Sequence, residues 1–167
     1  MANTGRLDLG GDFTCKRCTP TTFDCPAGAL TAAAIASSAQ LPATVLVHRL
    51  HKHYAQPNTT ATTVTIPLHV ARKTGELKEL VAGSIVAPIG AATVTIDLKK
   101  NNATVLTGTF TLDSANLARI VEAAVLNGAL TAYVVGDFFE LVITATAGGG
   151  TLPTGLYVSA TFDEQSQ

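Results

Sequence analysis

The sequence predicts an all-β chain: an antiparallel β-sandwich, jelly-roll-like, with an extended N-terminal arm. Three observations predict it. Segments in which apolar and polar residues alternate recur from residue 44 to residue 162, the pattern of strands with one buried face. Turn signals built on Gly, Pro, Asn and Asp separate these segments at hairpin spacing. Thr and Val, which favour strands, are abundant throughout, and 167 residues suffice for one core without staples. The expected division is an arm over 1–40 and a sandwich over 41–167.

Residues 1–26 hold Gly, Asp, Thr, Pro and all three cysteines, with little periodicity, and read as an extended arm. The Ala-rich stretch AGALTAAAIASSA (27–39) suits one short helix. Its apolar face of Leu30, Ala34 and Ile35 is too thin to fold alone, so it needs another surface. The arm contains too little apolar surface for a core of its own. Its exposed Phe13, Phe23, Leu30 and Ile35 are therefore the expected interaction residues, each contributing about 1.5–3 kcal/mol if buried against a partner.

The first strand is expected over TVLVHRLHKHY (44–54), with His51 and His53 on one face and His48 on the other. Gln56-Pro57-Asn58 reads as a break. In TTVTIPLHVARK (62–73), Val64, Ile66, Leu68 and Val70 share one face, with Thr63, Thr65, Pro67 and His69 on the other. Pro67 cannot donate to a ladder, so this strand lies at an edge or carries a bulge. LKELVAGSIVAPI (77–89) is the third strand, with an irregularity expected at Gly83. VTIDLKKNNATVLTGTFTL (94–112) is a hairpin. Val94, Ile96 and Leu98 point inward, and Leu106, Gly108, Phe110 and Leu112 resume the inward face. Val105, Thr107, Thr109 and Thr111 point outward. Asn101 and Asn102 suit the positive φ of a tight turn. Residues 112–130 read two ways, as a helix capped by Asp113 or Ser114 or as a strand; the flanking strands and the β-branched residues favour the strand. Phe138–Thr146 and Gly155–Phe162 complete about eight strands.

Composition excludes several functions. Hydrophobic residues make up 47% and charged residues 14%, the opposite of a disordered chain. The net charge is −1, with no basic stripe, so nucleic acid is not an expected partner. No apolar run reaches the length of a membrane helix. The first 13 residues lack the form of a secretory signal, so the chain is expected in the cytosol or in something assembled there. No secretory signal and an odd, clustered cysteine count argue against a disulfide framework.

The metal candidates are Cys15, Cys18 and Cys25, with a fourth ligand from His48, His51 or His53. Structural zinc needs four ligands in a tetrahedron, and CxxC gives two. Here there is one CxxC, an atypical gap to Cys25 and no histidine close in sequence, so no metal is expected. Gly148-Gly149-Gly150 follows a strand without a helix start, which suits a hairpin loop and not a phosphate cradle. Asp97, Asp113, Glu122, Asp137 and Glu140 fall at turns or outer faces, where solvation is the default. No nucleophile, base and stabiliser can be assembled, so no enzyme, cofactor or small-molecule substrate is expected.

From residue 27 onward the chain resembles the capsid decoration (cement) or head-fibre type proteins of tailed bacteriophages. The resemblance is carried by LTAAAIASSAQLPATVL (30–46), like the helical lead-in of that group, and by residues 51–77, 83–123 and 136–164. The arm with its cysteines has no counterpart there. The resemblance implies a non-enzymatic virion protein on the phage head surface, partnered by the major capsid protein and assembled as a homotrimer in the host cytoplasm. The alternative is a receptor- or carbohydrate-binding module of a phage fibre. Sugar stacking favours exposed aromatics; Trp is absent and aromatics are 5%, which counts against it.

Overall fold

The structure, a computed structural model, describes residues 47–165. The arm, its cysteines and the Ala-rich stretch lie outside the described residues. Ten strands follow in order: β1 (Val47–Thr60), β2 (Val64–Val70), β3 (Gly75–Val86), β4 (Thr93–Lys100) and β5 (Ala103–Thr104), then β6 (Phe110–Leu112), β7 (Glu122–Ala123), β8 (Ala132–Tyr133), β9 (Phe138–Thr146) and β10 (Thr154–Gln165). No described residue is helical.

Every pairing is antiparallel, in two five-stranded sheets. One runs β1-β10-β3, with β7 and β8 end to end along the far side of β3. The other runs β2-β9-β4, with β5 and β6 end to end along the far side of β4. Taking β5/β6 and β7/β8 as interrupted single strands leaves eight positions. The first pairs with the eighth, the second with the seventh, the third with the sixth and the fourth with the fifth. That is one antiparallel ribbon rolled over on itself, the jelly-roll topology.

Val94, Ile96, Leu98, Leu141 and Ile143 from one sheet meet Leu77, Leu80, Leu156, Val158 and Phe162 from the other, all buried. Strict alternation produces this in β4, where Thr95, Asp97 and Lys99 stay half-buried on the outer face. The hairpin turn is as the sequence predicts: Asn101 and Asn102 have φ of 49° and 70°, the two positive values a two-residue turn of this hand needs. At Gly83 an added Cβ would collide with the Tyr157 ring and the Ile120 carbonyl, so the missing side chain lets Tyr157 lie across β3.

Several expectations need correction. The irregularity of β3 is at Lys78, not Gly83: Glu79 pairs with Thr161 and Leu77 with Phe162, so Lys78 is the extra residue. This bulge puts Leu77 and Leu80 both inward, at a spacing of three. The first strand does not stop at residues 56–58; it bends there, with Asn58 at φ 54°, and continues to Thr60. β2 is an edge strand and also carries a bulge at Leu68, between the Pro67–Glu140 and His69–Phe139 pairs. The bulge turns His69 into the core and leaves Val70 exposed, reversing the faces expected for both. Val105 is buried and Gly108 exposed, because the ribbon leaves β4 after Val105 donates to the Leu98 carbonyl and crosses toward the other sheet. Residues 112–130 form neither a helix nor a full strand; only Glu122–Ala123 pairs with β3, between turns. Gly148–Gly150 lies in a crossover between sheets, since β9 and β10 belong to different ones.

Candidate interaction surfaces

The rolled ribbon gathers its connections at two ends. At the near end lie residues 71–74, 101–102 and 134–137, with the start of β1 and the close of β10. At the far end lie residues 61–63, 87–92, 113–121 and 147–153. The two long edges differ too, and the chemistry-bearing residues separate along them.

A polar lock builds the near end. Asn101 Nδ2 donates to Asp137 Oδ1 at 2.7 Å, and Asn101 Oδ1 accepts from the Phe138 amide at 2.9 Å. Asp137 Oδ2 accepts from the Val134 amide at 2.9 Å. The Ala71 amide donates to the Asp137 carbonyl, and the Gly136 amide to the Ala71 carbonyl. The amide of Val134 and the Asn101 side chain hold the Asp137 carboxyl below the usual range. With its polar groups so engaged, the turn presents Val134 and Val135 outward, 58% and 60% exposed, beside exposed Val70 and Phe138. Lys100 Nζ donates to the Leu130 carbonyl at 2.9 Å and to that of Ala132, which ties β4 to the segment before β8.

The far end carries a second apolar set. Ile85, Val86, Ile89, Leu117, Ile120 and Val121 are all exposed. The Arg119 amide donates to the Ser84 carbonyl at 2.8 Å, which brings 117–121 against the end of β3.

The β1 edge is basic. Arg49 grips Asp163 on β10 with two bonds, Nε to Oδ1 at 2.8 Å and Nη2 to Oδ2 at 3.0 Å. That fork raises the Arg49 pKa and lowers that of Asp163. His51 Nδ1 lies 3.2 Å from Thr161 Oγ1. His51 and His53 share the outer face, as the alternation predicts, and no cluster of three or more metal-ligating side chains forms among the described residues. Cys15, Cys18, Cys25, Phe13, Phe23, Leu30 and Ile35 lie outside the described residues.

On the outer face of β4, the gap between β5 and β6 leaves a hollow of about 310 Å³ lined by Thr95, Asp97, Thr104, Leu106, Thr107 and Thr109. Thr104 Oγ1 donates to Asp97 Oδ1 at 2.5 Å.

One polar pair is buried. His69 Nε2 on β2 lies 3.2 Å from Glu164 Oε1 on β10, and both side chains are under 10% exposed. Three aromatic rings enclose the imidazole: Phe162 with centroids 4.6 Å apart, Phe139 stacked at 6.0 Å, and Tyr133 edge-on at 6.1 Å. Gly75 makes room for Tyr133, whose ring an added Cβ there would strike. Tyr133 Oη donates to the Asp163 carbonyl at 3.3 Å, and burial pushes its phenol well above the ordinary range. Sequence reading missed this pair. The usable signals were Pro67, which warns of a shift in the faces of β2, and Phe162, whose inward direction carries Glu164 inward two residues on.

No family model matches the chain, and no curated protein matches it in sequence. Among solved structures, a chain in the structure of turnip yellow mosaic virus is 14% identical, with 71% of this chain and 93% of that one covered and a TM-score of 0.32. A chain of Desmodium yellow mottle tymovirus is 13% identical, with 99% and 96% covered and a TM-score of 0.31. The strand pairings, not these likenesses, define the architecture.

Proposed function

We propose that the protein is a non-enzymatic virion structural protein, a decoration protein that binds the outer surface of a phage head through the major capsid protein and assembles as a homotrimer. The observation that carries this reading is the near end: a turn locked by Asn101 and Asp137 that holds Val70, Val134, Val135 and Phe138 outward, at the place where the chain enters β1. Rigid display of apolar side chains suits a contact surface. The jelly roll is an architecture that viral capsid and lectin domains use, although fold alone assigns no function. The resemblance of residues 27–167 to phage decoration proteins points the same way. The carboxylates of Asp97, Asp113, Asp137 and Asp163 serve turns and pairs. In this reading Phe13, Phe23, Leu30 and Ile35 anchor the arm on a neighbouring subunit or on the shell.

The test mixes the full chain with phage capsids that lack it and measures co-sedimentation. Binding is expected. Serine at Phe13, Phe23, Leu30 and Ile35 is expected to weaken it by about a hundredfold or more, since each buried side chain contributes about 1.5–3 kcal/mol. Equal binding by this variant removes the arm as anchor, and failure of the intact chain to bind any shell removes the decoration reading.

The second reading, a receptor- or carbohydrate-binding module of a phage fibre, has the hollow at Asp97 in its favour. Its threonine hydroxyls and one carboxylate are groups that bond sugar hydroxyls. Saccharide binding lost in Asp97→Ala, with no binding to capsids, would favour it.

A further inference from the structure

The His69–Glu164 pair is buried at the near end, one residue before Val70, and its position is informative. β2 is the edge of one sheet and β10 lies next to the edge of the other. The pair therefore joins the two sheets at the corner where β1 begins. It is among the few side-chain bonds there, and the cluster around it is otherwise aromatic.

We propose that His69 and Glu164 form an acid-sensitive clasp, which holds edge strand β2 against β10 at neutral pH and lets that corner of the sandwich open as the imidazole takes up a proton.

With Glu164 as a carboxylate, which can only accept, Nε2 carries the proton that lies between the two groups. A buried imidazole in this cage is favoured uncharged, because burial costs the charged form its hydration. The groups facing it from each neighbouring element do not reverse this. Glu164 on β10 favours the imidazolium, whereas Lys52 on β1 opposes it. His48, also on β1, is directly opposite Glu164 in the pairing. Tyr133 on β8 stays neutral, Phe139 on β9 and Phe162 on β10 carry no charge, and Gly75 on β3 carries no side chain. Burial is the largest influence and holds the His69 pKa below its ordinary value of 6.5.

The direction of the pH effect follows. The unfolded chain binds the proton near the ordinary histidine value, before the folded chain does. Stability contributed by His69 is full above that value. It falls as the pH drops through it, and levels off once the folded imidazole is protonated as well. One proton is involved, so the folding equilibrium constant changes by at most about tenfold per pH unit within that window. The same linkage applies to local opening of β2.

The test compares the full chain with His69→Gln, which keeps a neutral donor toward Glu164 but cannot titrate. Folding free energy is measured by denaturant titration between pH 7.5 and 5, and amide exchange is followed at residues 64–70. Wild type is expected to lose stability with acid and to exchange faster in β2 after correction for the intrinsic rate, while His69→Gln shows a flatter profile in both. Glu164→Gln removes the one charge that favours the imidazolium, and should deepen the acid loss. A titration of the His69 ring in wild type by nuclear magnetic resonance reads the midpoint directly and does not depend on either variant folding. It is expected below 6.5. A midpoint at or above 6.5, or the same pH slope in His69→Gln as in wild type, overturns the clasp.

Discussion

The two long edges of the sandwich are closed by different means. On one, the ribbon crosses from sheet to sheet through main chain: the Thr107 amide donates to the Val125 carbonyl at 3.0 Å, the Asn127 amide to the Val105 carbonyl at 2.8 Å, and Leu106 bridges Leu126. On the other, β1 and β2 have no strand paired along their outer sides among the described residues, and side chains contribute to holding the edge together. Gln56, buried, donates through Nε2 to the Thr62 carbonyl at 3.0 Å and accepts from the Thr62 amide at 2.8 Å. His69 on β2 meets Glu164 on β10, in the other sheet. Main-chain closure tolerates changes of side chain and has no charge to titrate. Side-chain closure depends on identity, and at His69 on pH. The β1/β2 edge is therefore where substitutions and acid should act.

The largest effect is expected in the aromatic cluster behind the clasp. Phe162 is fully buried, 4.6 Å from the His69 ring and 4.9 Å from Phe139. Phe162→Ala removes contacts to both sheets and leaves a void beside a polar pair. Denaturant unfolding should show a loss of about 3–5 kcal/mol. A loss under 1 kcal/mol would mean this corner is already loose, and that the two edges do not differ as described.

A middle effect is expected at Gln56, where both ends of one amide serve Thr62. Gln56→Ala leaves the Thr62 amide and carbonyl without these partners. The expected loss is about 1–3 kcal/mol, with faster amide exchange in 60–64. Gln56→Glu keeps the acceptor toward the Thr62 amide but sets a carboxylate against the Thr62 carbonyl, and should do no better than alanine at neutral pH.

How far the sequence revealed this division depends on local regularity. β4 and β9 alternate without interruption and pair along their length, so their bounds and faces were legible. The tight turn was legible because two asparagines stood where positive φ is needed. Residues 113–131 were not. Their shape comes from turns such as Asp113–Asn116 and Asn127–Leu130, and from one short pairing with β3, at Glu122–Ala123, that hydrophobic period does not encode. The clasp was hidden by one extra residue, Leu68, because a single bulge exchanges the faces that follow it. The exposed Val134, Val135 and Phe138 stood in plain view, but alternation gives a face, not whether another element covers it. The interaction residues proposed in the arm lie outside the described residues, so the near-end cluster is what the structure adds to the proposed contact surface.

The smallest effect is expected on the main-chain edge, and it sharpens the comparison most. Thr107 has two bonds to the Val125 carbonyl, one from its amide at 3.0 Å and one from Oγ1 at 3.2 Å. The side chain is exposed and its hydroxyl has water as an alternative partner. Thr107→Ala deletes the hydroxyl and leaves the amide bond in place, so the sheets stay joined. The change in stability should be within about 0.5 kcal/mol. It should also be the same at pH 7.5 and pH 5, because no titrating group is touched. Thr107→Pro is the control, since proline takes away the amide that makes the crossing. If proline costs well over alanine, the backbone closes this edge. If the two are equally mild, the crossing contributes little, and the distinction between the edges reduces to burial alone.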